Sequence, residues 1–454
     1  LRYLLPTVSI MRASAWLLGA LACLLLLSPP LFAASDAPAP PKEAPASPHA
    51  PGDAKTGHPT AGEQGRPPDE TRPALLPGTI IKMPEGKPVT FDQMMRDLRF
   101  ARVVYMGENH DNMAHHENQL AIIRGLQERV GSVAVGMEMF QRPCQKVLDD
   151  WVAGKLNEKE LIAQTQWYGR WSVDFTYYEP ILEDARQGHK RVLALNATDE
   201  LVRAVAVKGV DNLPKEQRQE LPEMDLDHSE HRHFIEHMFE AQAAGHHHSS
   251  FERFYEAQRV WDETMAETIA KYLSTPGAAQ TVAVLAGNGH VEYGLGMPGD
   301  VFRRLAVPYR VVSFQAVGQV TWGPGPGPPV AMCDYGRPLA DYVWVTTEPP
   351  EEDKPKLGVT VEPPGKGEHG AKVEAVLKGS PAHKAGVKPC DVILAVNGEE
   401  VNSVGELRYV LSHKQMGDRV TVEVLREGKK ASLEATLSPL PKKRGKGDEL
   451  ICPR

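Results

Sequence analysis

The stretch Arg102 to Val130 concentrates more chemistry than any other part of the chain. A short apolar run, Val103 to Met106, is broken by Gly107 and followed at once by Glu108, Asn109, His110 and Asp111. Carboxylates, an imidazole and an amide in one turn are suited to holding a metal ion or passing protons. Beyond Asn112, Leu120, Ile123, Leu126 and Val130 recur at helical spacing, which predicts a helix. A strand that ends on polar groups and turns into a helix is where open α/β sheets bind their ligands.

Three further segments share this form. Ser132 to Phe140 is an apolar run carrying Glu138, Arg191 to Leu195 leads to Asn196, and Thr281 to Ala286 leads into Gly287-Asn288-Gly289-His290. Helical patterns lie between them, over Ile181–Gln187 (ended by Gly188) and Phe251–Leu273. The alternation predicts an α/β domain over about 78–347, with a mainly parallel sheet flanked by helices and a helical insertion. Asp341 to Thr346 reads as its closing edge strand. In a parallel sheet the strand ends share one edge, so Glu108, His110, Glu138, Asn196 and His290 converge on one cleft. Taken singly, each has a plainer reading as a helix-start carboxylate, a solvated loop residue or turn chemistry. Together Glu108, His110, Glu138 and His290 would ligate a divalent transition metal or share acid–base work on bound water, as in a hydrolase.

Two features sit between these segments. One is an aromatic cluster, Trp167, Tyr168, Trp171, Phe175, Tyr177 and Tyr178. The other puts seven histidines into 21 residues: His228, His231, His233, His237 and His246 to His248. His233 and His237, four apart, face one way on a helix and form a second metal candidate. The bland alternative is a solvated helix and loop, since such tracts are compositional hints.

A chain of 454 residues with 41% hydrophobic content has room for two or three domains with real cores. The net charge of -8 leaves no nucleic-acid footprint. Met11-Arg12, an apolar run from Trp16 to Leu27 and Leu31 to Ala34 predict a secretory signal over 1–34 starting at Met11. Leu21-Ala22-Cys23 resembles a lipobox, but the leucines after Cys23 argue against cleavage there. Simple secretion to the periplasm or exterior is the expectation, and a lipid anchor the alternative. Between Asp36 and Pro77 there are 11 prolines in 42 residues, the composition of an extended tether over 35–77. Cys144, Cys333, Cys390 and Cys452 show neither zinc nor CxxC spacing and read as ordinary thiols.

The motifs Gly107-Glu108-Asn109-His110-Asp111, Gly136-Met137-Glu138, the Trp167-to-Asn196 block, Phe254 to Gln258 with Trp261 to Ala266, and Gly287-Asn288-Gly289-His290-Val291 resemble the ChaN-like haem-binding family. That family falls in a wider group with the Tiki proteases and erythromycin esterases. The resemblance implies a secreted, iron-linked haem binder, in some members a homodimer with paired haems. It also implies a tyrosine iron ligand assisted by a histidine, for which Tyr168, Tyr177 and Tyr178, with His290, are the candidates. The wider group implies Glu108, His110, Glu138 and His290 as metal-binding or acid–base residues.

Past a linker over 348–356, the segment 357–439 resembles a bacterial PDZ domain, an α+β fold. Leu357-Gly358-Val359 matches the carboxylate-binding loop, and Ser380-Pro381-Ala382 opens a helix with Ser as cap and Pro at its first position. Ser403 to Glu406 forms a capping box for a helix through Leu411. Cys390 stands where the family usually has Gly. The resemblance implies capture of a peptide's C-terminus, with Leu357, Gly358, Val359, Leu407 and Leu411 lining the site. A non-binding structural PDZ is the plainer alternative. The tail 440–454 reads as basic and disordered.

Three functions follow from this reading. The first is haem capture with a PDZ domain that recruits a peptide or protein partner, the second a metal-dependent hydrolase with PDZ-assisted substrate selection, and the third a non-catalytic scaffold.

Overall fold

Every residue of Val103–Glu108 is buried, which requires neighbours on both edges of the strand and helices on both faces. The computed structural model describes residues 75–171, 173–243, 250–322, 329–330, 337–348, 355–365, 369–439 and 450–452. The signal segment with Cys23, nearly all of the tether, His246 to His248, Cys333 and most of the linker and tail lie outside them.

The strands of the first domain are β1 (Ile80–Lys82), β2 (Lys87–Val89), β3 (Val103–Glu108), β4 (Val133–Gln141), β5 (Val192–Asn196), β6 (Thr281–Gly287), β7 (Tyr309–Ala316), a small ribbon of β8 (Thr321–Trp322) and β9 (Pro329–Val330), and β10 (Tyr342–Thr346). Its helices are α1 (Phe91–Leu98), α2 (Met113–Val130), α3 (Gln145–Val152), α4 (Glu158–Thr165), α5 (Trp167–Arg170), α6 (Glu179–Gln187), α7 (Asp199–Lys208), α8 (Lys215–Glu220), α9 (Ser229–Ala243), α10 (Phe251–Leu273), α11 (Asn288–Val291) and α12 (Met297–Arg304). The sheet order is β2-β1-β10-β7-β3-β6-β4-β5. From β10 to β5 all neighbours are parallel, and β1 and β2 add antiparallel strands at one edge.

Side chains alternate between the faces. Val104 and Met106 pack with α1, α2, α3 and the aromatic cluster, while Val103 and Tyr105 pack with α10 and α12. The helical insertion, α7 to α10, lies between β5 and β6. Two points depart from the sequence reading. Tyr309–Ala316, unanticipated as a strand, separates β3 from β10. The segment expected as the closing edge strand lies inside the sheet instead, because the start of the domain returns as β1 to cover its free side.

The C-terminal domain comprises β11 (Val359–Glu362), β12 (Ala371–Leu377), α13 (Pro381–Ala385), β13 (Val392–Val396), β14 (Glu399–Glu400), α14 (Val404–Ser412), β15 (Arg419–Arg426), β16 (Lys429–Thr436) and β17 (Leu450–Ile451). All its ladders are antiparallel, around a small aliphatic core of its own. Leu450–Ile451 pairs with β12, so this part of the tail, expected to be disordered, is a strand. Its apolar pair finds an open ladder beside Val376 and Leu377. Cys390 adopts φ +69°, the left-handed backbone that explains why glycine is usual there. Among the described residues no helix is long and apolar enough to cross a membrane.

The α/β sheet positions its polar edge through close packing at Gly107. A Cβ on that residue would lie 2.3 Å from Asn288 Oδ1 and 2.7 Å from Val291 Cγ2. Gly107→Ala should therefore destabilise the chain by about 1–3 kcal/mol, seen as a lower urea midpoint with an unchanged slope.

Candidate functional site

Glu108 ends β3 and is 2% exposed. Its Oε1 accepts the Tyr178 hydroxyl at 2.5 Å and pairs with His110 Nδ1 at 2.8 Å. Its Oε2 accepts Gln119 Nε2 at 2.6 Å and lies 3.6 Å from His116 Nδ1. Burial alone would raise this carboxyl. The charge of His116, the hydrogen bond and charge of His110 and the Tyr178 hydroxyl outweigh burial and bring it down to about 2. Asn112 caps α2 by accepting the Ala114 N–H, which places His115, His116 and Gln119 on the helix face turned inward. His115 accepts the Asn109 N–H and so fixes the turn; burial and the charge of His116 push it down to about 3.

Glu138 lies within β4, where the ladder to β5 is irregular between Met137 and Gln141. Asn196 donates to the Glu138 carbonyl at 3.0 Å, so it anchors that irregularity. The Glu138 Oε2 accepts the Gly287 N–H at 2.7 Å, and Oε1 is 3.4 Å from His290 Nε2. His290 Nδ1 in turn pairs with Asp262 Oδ1 at 2.6 Å. Asp262 Oδ2 is 3.3 Å from His231 Nε2, and burial pushes His231 below the ordinary histidine range. Burial would lower His290, but Glu138 and Asp262 raise it well above the ordinary histidine range. Burial would raise Glu138 and Asp262, and the imidazoles hold both below the ordinary carboxylate range.

Gly287 joins the two groups. A Cβ there would stand 3.1 Å from His110 Cε1 and 3.2 Å from His110 Nε2, so the ring needs a glycine beneath it. Burial would lower His110; its hydrogen bond to Glu108 and the charges of Glu138 and Glu108 raise it overall. Its side chain is 13% exposed, and the ring meets Trp171 edge-on with centroids 4.7 Å apart. Trp171 Nε1 is buried beside the Tyr178 hydroxyl.

The structure thus draws Glu108, His110, Glu138 and His290 to one edge of the sheet, wired by hydrogen bonds. The described residues that gather three ligand atoms within 4.8 Å of one another are a different set, Glu158, Glu179 and His413. Tyr168, Tyr177 and Tyr178 are all buried. The Tyr178 hydroxyl is committed to Glu108, and burial and that carboxylate raise it well above the usual phenol range, so it serves there as a donor. Tyr177 stacks on His116, and Tyr168 faces the C-terminal domain through Ser412 at 3.3 Å. His233 and His237 are exposed on α9 with their Nε2 atoms 3.2 Å apart, as their spacing implied.

Asp262, Gln258, His231, His116 and Gln119 were not named as site residues, although His231 lies in the histidine tract and Gln258 and Asp262 in the family motifs. Their signal was in the helical stripes, where Gln258 and Asp262 are four apart and His116 and Gln119 fall in step with Ile123 and Leu126. A polar residue on a buried stripe needs a partner, and here the partner is the site.

In the C-terminal domain, Leu357 and Leu407 are core residues, while Val359 and Leu411 are only partly covered. Gly358 has φ +78°. Among the described residues β11 pairs with β12 alone, which leaves its other edge for an added strand.

Residues 94–301 match the family described as haem-binding uptake, Tiki superfamily, ChaN, and residues 355–437 match the PDZ domain. The chain carries a ChaN-like haem-binding domain followed by a PDZ domain. A solved structure titled cofacial heme binding to ChaN of Campylobacter jejuni is 17% identical, with a TM-score of 0.45, covering 58% of this chain and 95% of that one. A probable periplasmic serine endoprotease, DegP-like, of Chlamydia trachomatis is 44% identical over 77 residues, 17% of this chain and 16% of that protein. The serine protease Do-like HtrB of Bacillus subtilis is 42% identical over 83 residues, 18% of each. The chain therefore spans under a fifth of the length of these curated relatives.

Within the ChaN-like domain, the pairing at Glu108 has a pH signature. Its carboxyl is held at about 2 against an ordinary 4.5, so its contribution is complete above pH 4.5 and is lost as pH falls towards 2. Glu108→Gln should cost on the order of 3 kcal/mol at pH 7 and flatten the acid limb between those values, measured by urea unfolding across pH.

Proposed function

We propose that the ChaN-like domain binds haem at the carboxyl edge of its sheet with His110 on the iron, and that the PDZ domain recruits a peptide or protein partner. The family match and His110 support this reading. With Nδ1 held by Glu108, the ring keeps Nε2 for a metal, and the carboxylate behind it raises its basicity as a ligand. The partly exposed ring beside Trp171 suits an apolar macrocycle. Bound haem would supply the iron; this chain supplies the ligand, its orientation and the aromatic wall. The signal-like start and relatives named as periplasmic proteases support a secreted protein serving haem or iron acquisition.

A second reading, the metal-dependent hydrolase, rests on the line Asp262–His290–Glu138, where one carboxylate orients an imidazole towards another. Protein that carries a divalent metal and loses it on Glu138→Gln, without any haemin response, would replace the first reading with this one.

Haemin titrated into the full chain should give a saturable Soret shift. His110→Ala should weaken it about tenfold, about 1.4 kcal/mol, whereas Tyr168→Phe should leave it unchanged. The absence of a saturable shift, or undiminished binding by His110→Ala, overturns the assignment. For the PDZ domain, a peptide with a free C-terminal carboxylate should bind about tenfold more tightly than its amidated form, measured by fluorescence anisotropy on the full chain.

A further inference from the structure

Helix α14 of the PDZ domain lies against the ChaN-like domain. Arg408 donates to the Tyr168 carbonyl at 3.0 Å, and Lys159 reaches the Glu400 carbonyl at 3.0 Å and Glu406 at 3.5 Å. At the end of this contact three groups from three elements meet: Glu158 at the start of α4, Glu179 at the start of α6, and His413 just past α14. One ligand atom from each lies within 4.8 Å of the other two.

We propose that Glu158, Glu179 and His413 form a divalent transition-metal site, of the zinc class, that bridges the ChaN-like and PDZ domains. The histidine is already set for the role. Its Nδ1 lies 2.9 Å from the Tyr409 carbonyl, to which it donates, so Nε2 presents its lone pair 3.4 Å from Glu158 Oε1. Acceptors that face one another repel unless a cation lies between them. Around a tetrahedral ion with bonds of ~2.1 Å, ligand atoms stand roughly 3.4 Å apart, so this pair needs little movement.

The Tyr409 hydroxyl donates to Glu158, which also stands against the like charge of Glu179. Asn157 and Glu160 complete the capping box of α4, so Glu158 is not its cap. Glu158 Oε1 is buried without a hydrogen-bond partner. Among the described residues no lysine or arginine pairs with Glu158 or Glu179, and the basic group beside Glu158 is the His413 ring. The mixed imidazole and carboxylate set favours zinc-like ions over magnesium or calcium. With His413 36% exposed, solvent can complete the coordination.

The test uses the full chain, stripped with a chelator, in a background where His233, His237, His246, His247 and His248 are alanine. Calorimetric titration with zinc, and cobalt(II) absorption as the spectroscopic reporter, should show one site with tetrahedral bands. His413→Ala and, separately, Glu179→Gln should each weaken zinc at least about tenfold and abolish those bands while far-ultraviolet dichroism stays unchanged. Unaltered zinc affinity and cobalt spectrum in both variants overturn the proposal, as does the absence of any zinc heat in the background chain, which would leave a proton on Nε2 as the occupant. Haemin binding, which uses none of the three residues, should survive in both variants and separates this outcome from failure of the haem reading.

Discussion

An ionised carboxylate enclosed at the end of β3 is the constraint on which the rest of the site depends. Removing such a charge from water costs several kcal/mol unless it is paired and fully hydrogen-bonded. Glu108 meets that condition with Tyr178, Gln119, His110 and His116, drawn from the aromatic cluster, α2 and the turn between β3 and α2. Each partner ties one packed element to the sheet edge, so the orientation of His110 is a by-product of satisfying Glu108. The same logic repeats next door, where Glu138, His290 and Asp262 alternate in charge from β4 to α10.

Much of this was legible in the sequence, for a physical reason. Buried parallel strands must be uninterrupted apolar runs, and they must stop where the backbone meets solvent or a ligand, so Glu108, Asn196 and His290 announced themselves by position. β7 was harder to read because Arg310, Ser313 and Gln315 interrupt it. Two of these are buried and satisfied by Glu292, whose carboxyl burial pushes up to about 7 despite the hydrogen bonds from Ser313 and Gln315. The partners of the site lay on helices, where a polar residue on the inner stripe looks like noise until the opposing strand end is known. The fates of Tyr168, Tyr177 and Tyr178 could not be separated in sequence at all, since a run of aromatics gives no sign of which ring turns to the core, the site or the next domain.

The PDZ domain was readable in part from local signals, because helix caps and a positive-φ turn each act within a few residues. Its attachment was not. The contact of Arg408 and Ser412 with Tyr168 joins residues more than 200 positions apart, and no periodicity on either side encodes it.

That contact makes α14 a two-sided element. Leu407 and Val410 belong to the PDZ core, while Arg408 and Ser412 belong to a seam with the neighbouring domain. An excised PDZ module would bare the faces of Tyr409 and Ser412 that the intact chain half-covers. Ligand surveys on such a fragment would therefore sample a surface the parent molecule displays only in part.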